Sequence, residues 1–369
     1  MYSQQELDDA VASGVITAEA ANALRAHVAS ERATAIPDEE QFRLLTGFND
    51  IFVSIAAAIL LFAVGWIGQS IGQNMGFAIE GDGPSPLAPL LVAATSWGLA
   101  LFFTAKRRMA LPSILLLLTF VGGVLATAGF SLVLGVGADA LDNNPQLGGI
   151  LAAIAAAIGA CAAWLHWRRF RVPITVAAGA ASVAGIAVAL LVAALGENAN
   201  EAKNVILGFV LALGIGMFLF AMWWDGTDRA RVTRRSDVAF WLHLLAAPMI
   251  VHPIFTLLGL NDGHATIGEG IVVILLYVAL GITALAIDRR ALLVSALAYV
   301  LFAMQQLFSQ FGAVELNVAL TALVIGSALL MLSAFWHQAR SVIVRPLPEG
   351  LRNRLPILDR TVAVTQPAA

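Results

Sequence analysis

Hydrophobic positions in this chain come in long unbroken blocks. They neither alternate with polar residues nor follow the spacing of a half-buried helix. The blocks run from residue 48 to residue 336, with short polar connections between them. About 20 apolar residues in helical form cross the hydrocarbon core of a bilayer. Only helices and closed barrels satisfy every backbone group in lipid, and barrel strands would alternate, so the pattern predicts helices. The predicted spans are 48–68, 86–105, 112–135, 147–166, 173–195, 204–224, 238–260, 270–287, 291–311 and 317–336, ten in all. The last connection but one is a tight turn at Asp288, Arg289 and Arg290.

The residues before the first block follow a different rule. Ser3 is placed to cap a short helix that stops at Gly14, and Thr17 to cap a second with Glu19 in its first turn. Leu7, Val11 and Ile16 would then meet Ala20, Leu24 and Val28 in a helical hairpin. Pro37 opens a third helix, with Asp38, Glu39 and Glu40 in its first turn and Phe42, Leu44 and Leu45 facing the membrane interface. The expected organisation is a hairpin over 1–36, an interfacial helix over 37–47, a ten-helix transmembrane domain over 48–336 and a basic tail over 337–369 carrying Pro346, Pro348 and Pro356. No early apolar core precedes the first span, so no cleavable signal peptide is expected.

Composition supports this class. The chain is 59% hydrophobic and 12% charged, against about a quarter charged in a soluble domain. The fold class is therefore all-α, a polytopic integral membrane helical bundle. Net charge of −3 says little, but its distribution says much. Alternate connections hold Lys106, Arg107 and Arg108; Arg168, Arg169 and Arg171; Arg229, Arg231, Arg234 and Arg235; and Arg289 and Arg290. With those of the two terminal regions, they account for all but one of the 21 basic residues. The other connections hold the exception, Lys203, and the acids Glu80, Asp82, Asp139, Asp142, Glu197, Glu201, Asp262, Glu269 and Glu315. Basic connections mark the cytoplasmic side, which predicts both termini, hairpin and tail inside. Trp164, Trp167, Trp223, Trp224, Trp241 and Trp336 fall at the basic ends and Trp66 near the acidic end, as an interfacial belt does. Trp97 is mid-span and reads as packing.

Three rows of small residues recur at four-residue spacing: Gly149, Ala153, Ala157 and Cys161; Ala177, Ala181, Gly185 and Ala189; Gly208, Ala212 and Gly216. Such rows let helix backbones approach closely. They fit plain packing or a sliding interface. The single cysteine, Cys161, permits no intramolecular disulfide.

The candidate polar centre is the seventh span, which carries His243, His252, Pro248 and Pro253. At about 1.5 Å per residue, His252 lies about 21 Å from Val238, beyond the midplane. Polar groups at that depth are costly unless partnered. The prolines remove the donors to the carbonyls of Leu244 and Met249, so a helix break is expected there. On an ideal helix His243 and His252 fall on opposite faces. Gln305 and Gln306 of the ninth span reach a depth similar to His252, and Tyr299 and Gln310 share their helix. A polar layer of His252, Gln305 and Gln306 is expected. It would be either a packing hydrogen bond of about 1 kcal/mol or a substrate or proton site.

Other chemistry is thin. Asp50 beside Asn49 and Ser54 reads as a partner for the helix dipole. Asp262, His264 and Glu269 share a connection but lack a metal-ligand spacing, so no metal is assigned. His166 and His337 lie at span ends, which argues against a bis-histidine haem, and no cofactor is expected. There is no phosphate-binding glycine loop, HExxH or GxSxG sequence, so no enzymatic activity is expected. Nothing points to nucleic acid. The expected partners are membrane lipids, a small-molecule substrate, and a second copy or another protein through residues 1–36.

The turn from Gly14 to Glu19 within ASGVITAEAANALRAHVA, followed by the first span FNDIFVSIAAAILLFAVGWIG, resembles a bacterial family of multi-pass membrane proteins of unknown function that carry an N-terminal helical hairpin. That resemblance covers about 65 residues and implies no activity. In topology alone the chain is similar to the drug/metabolite transporters, which also have ten spans with both termini inside and are built from inverted repeats. The expected function is a transporter or permease for a small or lipid-like molecule in the bacterial inner membrane. The alternative is a non-enzymatic scaffold or sensor that recruits partners through its hairpin.

Overall fold

The computed structural model describes residues 10–24, 48–142, 144–199, 201–229, 231, 233–259, 267–290, 293, 297, 301 and 317–358. Two compact units divide the chain, one formed by the two termini (1–42 and 357–369) and one by residues 43–356. In the first, Gly14 takes a left-handed conformation at φ +74° and ends a helical turn, as its missing side chain allows. Thr17 Oγ1 then accepts from the amide of Ala20 at 3.1 Å, starting the helix that follows.

The larger unit is helical, with no strand among the described residues. Its helices are α1 (Phe48–Asn74), α2 (Leu87–Phe103), α3 (Ala110–Val136), the short α4 (Ala138–Asp142), α5 (Pro145–Phe170), α6 (Ile174–Leu195), α7 (Lys203–Gly226), α8 (Arg234–Leu257), α9 (Ile267–Ile287), α10 (Asn317–Ala334), α11 (Trp336–Val344) and α12 (Glu349–Arg352). Six of them are long and apolar enough to cross a membrane, or seven if α10 and α11, bent by 73°, count as one. The apolar stretches of α2 and α9 are shorter. Nine of the ten predicted spans coincide with a helix. The ninth, 291–311, lies almost wholly outside the described residues. Large apolar side chains such as Phe62, Leu219 and Leu330 stand exposed on the outer surface, as lipid-facing positions do.

Neighbouring helices pack in chain order, most extensively α5 on α6 and α7 on α8. Glycine decides how closely. A Cβ on Gly149 would stand 2.6 Å from the amide nitrogen of Ala193 and 2.7 Å from the carbonyl of Ala189. The first two small-residue rows therefore meet at least at this point. The third row does not pack so: a side chain on Gly208 or Gly216 would meet nothing within 4 Å. The close approach of α7 is instead at Gly214, where a Cβ would lie 2.8 Å from the carbonyl of Met249. That is the carbonyl whose helical donor Pro253 removes.

The turns at the basic ends share a device. Arg108, Arg171, Arg231 and Asp288 all have φ between +53° and +56°. Each is a non-glycine residue in the left-handed region, which costs roughly 1–2 kcal/mol. At Arg231 and Asp288 the side chains make up for it, as described next.

Candidate functional site

The polar centre of the described bundle lies where α7 ends, α8 begins and α9 turns. α7 runs apolar until Asp225, one residue before its end. The following turn is closed by Asp228, whose Oδ2 accepts from the amide and the hydroxyl of Thr233 at 2.8 and 2.6 Å. Thr233 in turn is the N-cap of α8. One turn into α8 comes Ser236, and about two turns further His243. α9 stops at Ile287 because Asp288 enters the left-handed region. That reversal sends Arg289 back beneath α7 and α8.

Three chain segments thus deliver one cluster. Asp225 Oδ2 accepts from His243 Nε2 at 3.1 Å and from Arg289 Nε at 3.2 Å. Asp225 Oδ1 accepts a short bond from Arg289 Nη2. The same Nη2 reaches the carbonyl of Ser236 at 3.0 Å and its hydroxyl at 3.2 Å. Exposure is 2% for Asp225, 0% for His243 and 2% for Arg289. The carboxylate and the guanidinium balance, so with a neutral imidazole the cluster has no net charge. Donation through Nε2 leaves Nδ1 with the lone pair, and Nδ1 has no hydrogen-bond partner. The imidazole is held edge-on to Phe218, with ring centroids 5.3 Å apart. Removing one member of such a buried pair costs about 3–5 kcal/mol, because the other is left charged in an apolar place.

A second cluster adjoins it through the peptide bond between Asp288 and Arg289. Asp288 Oδ2 accepts from Arg231 Nη1 at 2.9 Å, and Oδ1 from Trp336 Nε1 at 2.8 Å. Arg231 Nη2 also takes the carbonyl of Ile287 at 2.9 Å, closing the end of α9. α11 turns Trp336, Arg340 and Val344 inward on one face. Arg340, wholly buried, gives Nη2 to the carbonyl of Pro356 at 2.8 Å, and Arg229 gives Nε to that of Leu355 at 3.0 Å. The chain after α12 is thereby tied to the turn between α7 and α8.

Of the residues expected to form a site, His243 alone is in these clusters. His252 is exposed on α8, whereas His243 is wholly buried, in keeping with the opposite faces expected. Tyr299, Gln305 and Gln306 lie outside the described residues, as do Gln310, Asp262 and His264. Pro248 and Pro253 do not break the segment: α8 runs through both. Gly214 opposite Met249 gives the freed carbonyl a close backbone neighbour. Among the described residues no group of three metal-ligating side chains converges.

Sequence reasoning missed Asp225, Ser236 and Arg289. Arg289 counted there only as a basic loop residue. A signal was present: Asp225 and Asp288 are acids at the basic end, each beside an apolar helix. His166 lies in a separate, apolar nest. Its ring is 4.6 Å from Phe170 and 6.2 Å from Trp97, and Thr175 Oγ1 is 3.3 Å from Nδ1. Trp97 packs there between Phe120 and Phe170, the packing role expected of it.

No family model matches this chain, and no curated protein or solved structure matches it. The comparisons do not bear on the resemblances drawn from residues 14–19 and the first span.

Proposed function

We propose that this chain is a transporter or permease for a small or lipid-like molecule in a bacterial inner membrane, with ten spans and both termini in the cytoplasm. Support for the topology comes from the alternation of basic and acidic connections. The observation that carries the transport reading is the buried Asp225–His243–Arg289 cluster joining three helices at their basic ends. Ionisable groups inside a membrane protein are costly, and they mark ion and substrate pathways more often than they mark lipid-facing surface. In this reading the cluster is the inner gate. It holds α7, α8 and the end of α9 together until a proton or substrate reaches Asp225 or the bare Nδ1 of His243. His252, Gln305, Gln306 and Tyr299 are the candidate residues of the outer half.

One observation favours the second reading, a scaffold or sensor that recruits partners through residues 1–36. Arg289 is closed off, giving its hydrogen bonds to Asp225 and Ser236 at once, which suits a permanent clamp.

Access separates the two without knowledge of the substrate. The only native cysteine, Cys161, is exposed and is replaced by alanine. Single cysteines are then introduced at Ala246 and Val251, both buried on α8, and challenged in proteoliposomes with an impermeant maleimide from each side. A gate predicts labelling from one side, redistributed by Asp225→Asn. Absence of labelling at both positions in both backgrounds would leave the scaffold reading in force. His252→Ala then completes the test: transport predicts a phenotype from it with folding intact, whereas a scaffold predicts one only from deletion of 1–36.

A further inference from the structure

A groove of about 120 Å³ lies between α10 and the side chains of Leu293 and Leu297. Leu293, Leu297, Leu329 and Leu332 form its walls, and Arg290 and Trp336 stand at one end. The guanidinium of Arg290 lies over the Trp336 ring, 4.8 Å from its centroid. That ring is fixed, because its Nε1–H is donated to Asp288.

Arg290 differs from its basic neighbours. Arg289 is paired with Asp225, and Arg231 with Asp288. Arg340 also lies within 4 Å of Asp288. Among the described residues no carboxylate pairs with Arg290, and its Nε is buried without an acceptor. The carboxylates nearest in sequence are taken. A guanidinium stacked on an aromatic face keeps its N–H edge free for a planar, two-point acceptor such as a phosphate. Leucines below such a cation call for an alkyl chain.

We propose that this groove is a binding site for an anionic phospholipid. One acyl chain lies along Leu293, Leu297, Leu329 and Leu332, and the phosphate oxygens accept from Arg290 beside Trp336. Charge complementarity selects the occupant: a lone cation at an interfacial tryptophan, at the mouth of an apolar groove between helices, matches an anionic headgroup on its own chain. The site is separate from the Asp225 cluster and does not depend on transport. It makes the end of α10 a place where membrane composition acts on the fold.

The test is native mass spectrometry of the full chain in detergent, given equal amounts of phosphatidylglycerol and phosphatidylcholine with the same acyl chains. The expected preference for phosphatidylglycerol is about five-fold, the factor that about 1 kcal/mol per basic residue near an anionic surface implies. Arg290→Gln should bring it to parity. Arg107→Gln, at an exposed basic turn elsewhere, should leave it intact, and Leu329→Trp, which fills the groove, should remove both adducts. Glycerol phosphate, a headgroup without chains, should not compete. The proposal is overturned by equal retention of the two lipids in the native chain, by a preference that survives Arg290→Gln, or by displacement with glycerol phosphate. Should Arg290→Gln aggregate, Leu329→Trp decides alone, since it leaves every charge in place: unchanged adducts sink the groove, and lost adducts support it.

Discussion

Helices α1 to α6 and helices α7 to α11 solve the same packing problem by different means. The first set is held by small residues and aromatic rings. Gly149 brings α5 against α6 at backbone contact. His166, the buried histidine of that set, is packed among Trp97, Phe120 and Phe170, with one long contact to Thr175. The second set adds charge to its apolar packing and to the glycine contact at Gly214. Its buried histidine, His243, is bonded to a carboxylate that also holds a guanidinium. Two histidines with the same burial thus have opposite characters. What separates them is whether a chain reversal brings a cation and an anion to the same depth. Dispersion between small residues acts over the whole contact and tolerates small shifts. A buried ion pair acts at one point, and fails altogether when a member is lost.

The largest effect expected is therefore in the second set. Arg289→Ala should destabilise the protein by about 3–5 kcal/mol, the cost of stranding Asp225 in an apolar site. The melting temperature of the purified protein in detergent measures it. Asp225→Leu combined with Arg289→Met should recover most of that loss, because an apolar pair of similar volume replaces the ions. If the double variant is as unstable as Arg289→Ala, the comparison between the two sets fails.

Next comes the backbone contact of the first set. Gly149→Val inserts a side chain against the backbone of Ala189 and Ala193 and should cost about 1–3 kcal/mol, more if the helices separate. Gly208→Val, in the row that packs on nothing within reach, should change the melting temperature little. Equal losses in the two would mean that the backbone contact at Gly149 is not what holds α5 against α6, since valine is the better helix former and propensity alone would give no loss.

The histidines sharpen the contrast further. His243→Phe keeps the ring volume and the contact with Phe218, but leaves Asp225 short of one donor; a loss of about 1–3 kcal/mol is expected. His166→Phe exchanges one ring for another in an aromatic nest and should cost less than about 1.5 kcal/mol. The smallest effect is at His252. Its side chain is exposed, so His252→Ala should move stability by no more than about 0.5 kcal/mol. That near-silence in folding is what makes it a clean probe of flux.

Within the described residues the apolar blocks of the sequence coincide with helices, since a run of about 20 apolar residues in lipid has few alternatives to a helix. Gly14, Thr17, Pro145 at the start of α5 and the basic turns all mark element ends as their chemistry requires. The polar centre was legible only in part. His243 was picked for its type and its span, but the polar layer was sought around His252, at its depth, and not at the end of the helix that neighbours His243. The prolines misled for the same reason. Read alone, Pro253 breaks a helix; in the bundle the helix runs through it, and the carbonyl it frees, that of Met249, lies against Gly214.

Class, element positions and the segregation of charge were determined by sequence, because each follows from local hydropathy and from residues within a few positions of one another. Which residues meet was decided by tertiary structure. Arg289 and Asp225 are 64 residues apart, and a left-handed turn at Asp288 aims one at the other. No periodicity encodes that meeting. It depends on how far α7, α8 and α9 each run before they turn, and on the cost of leaving any of those charges alone in an apolar interior.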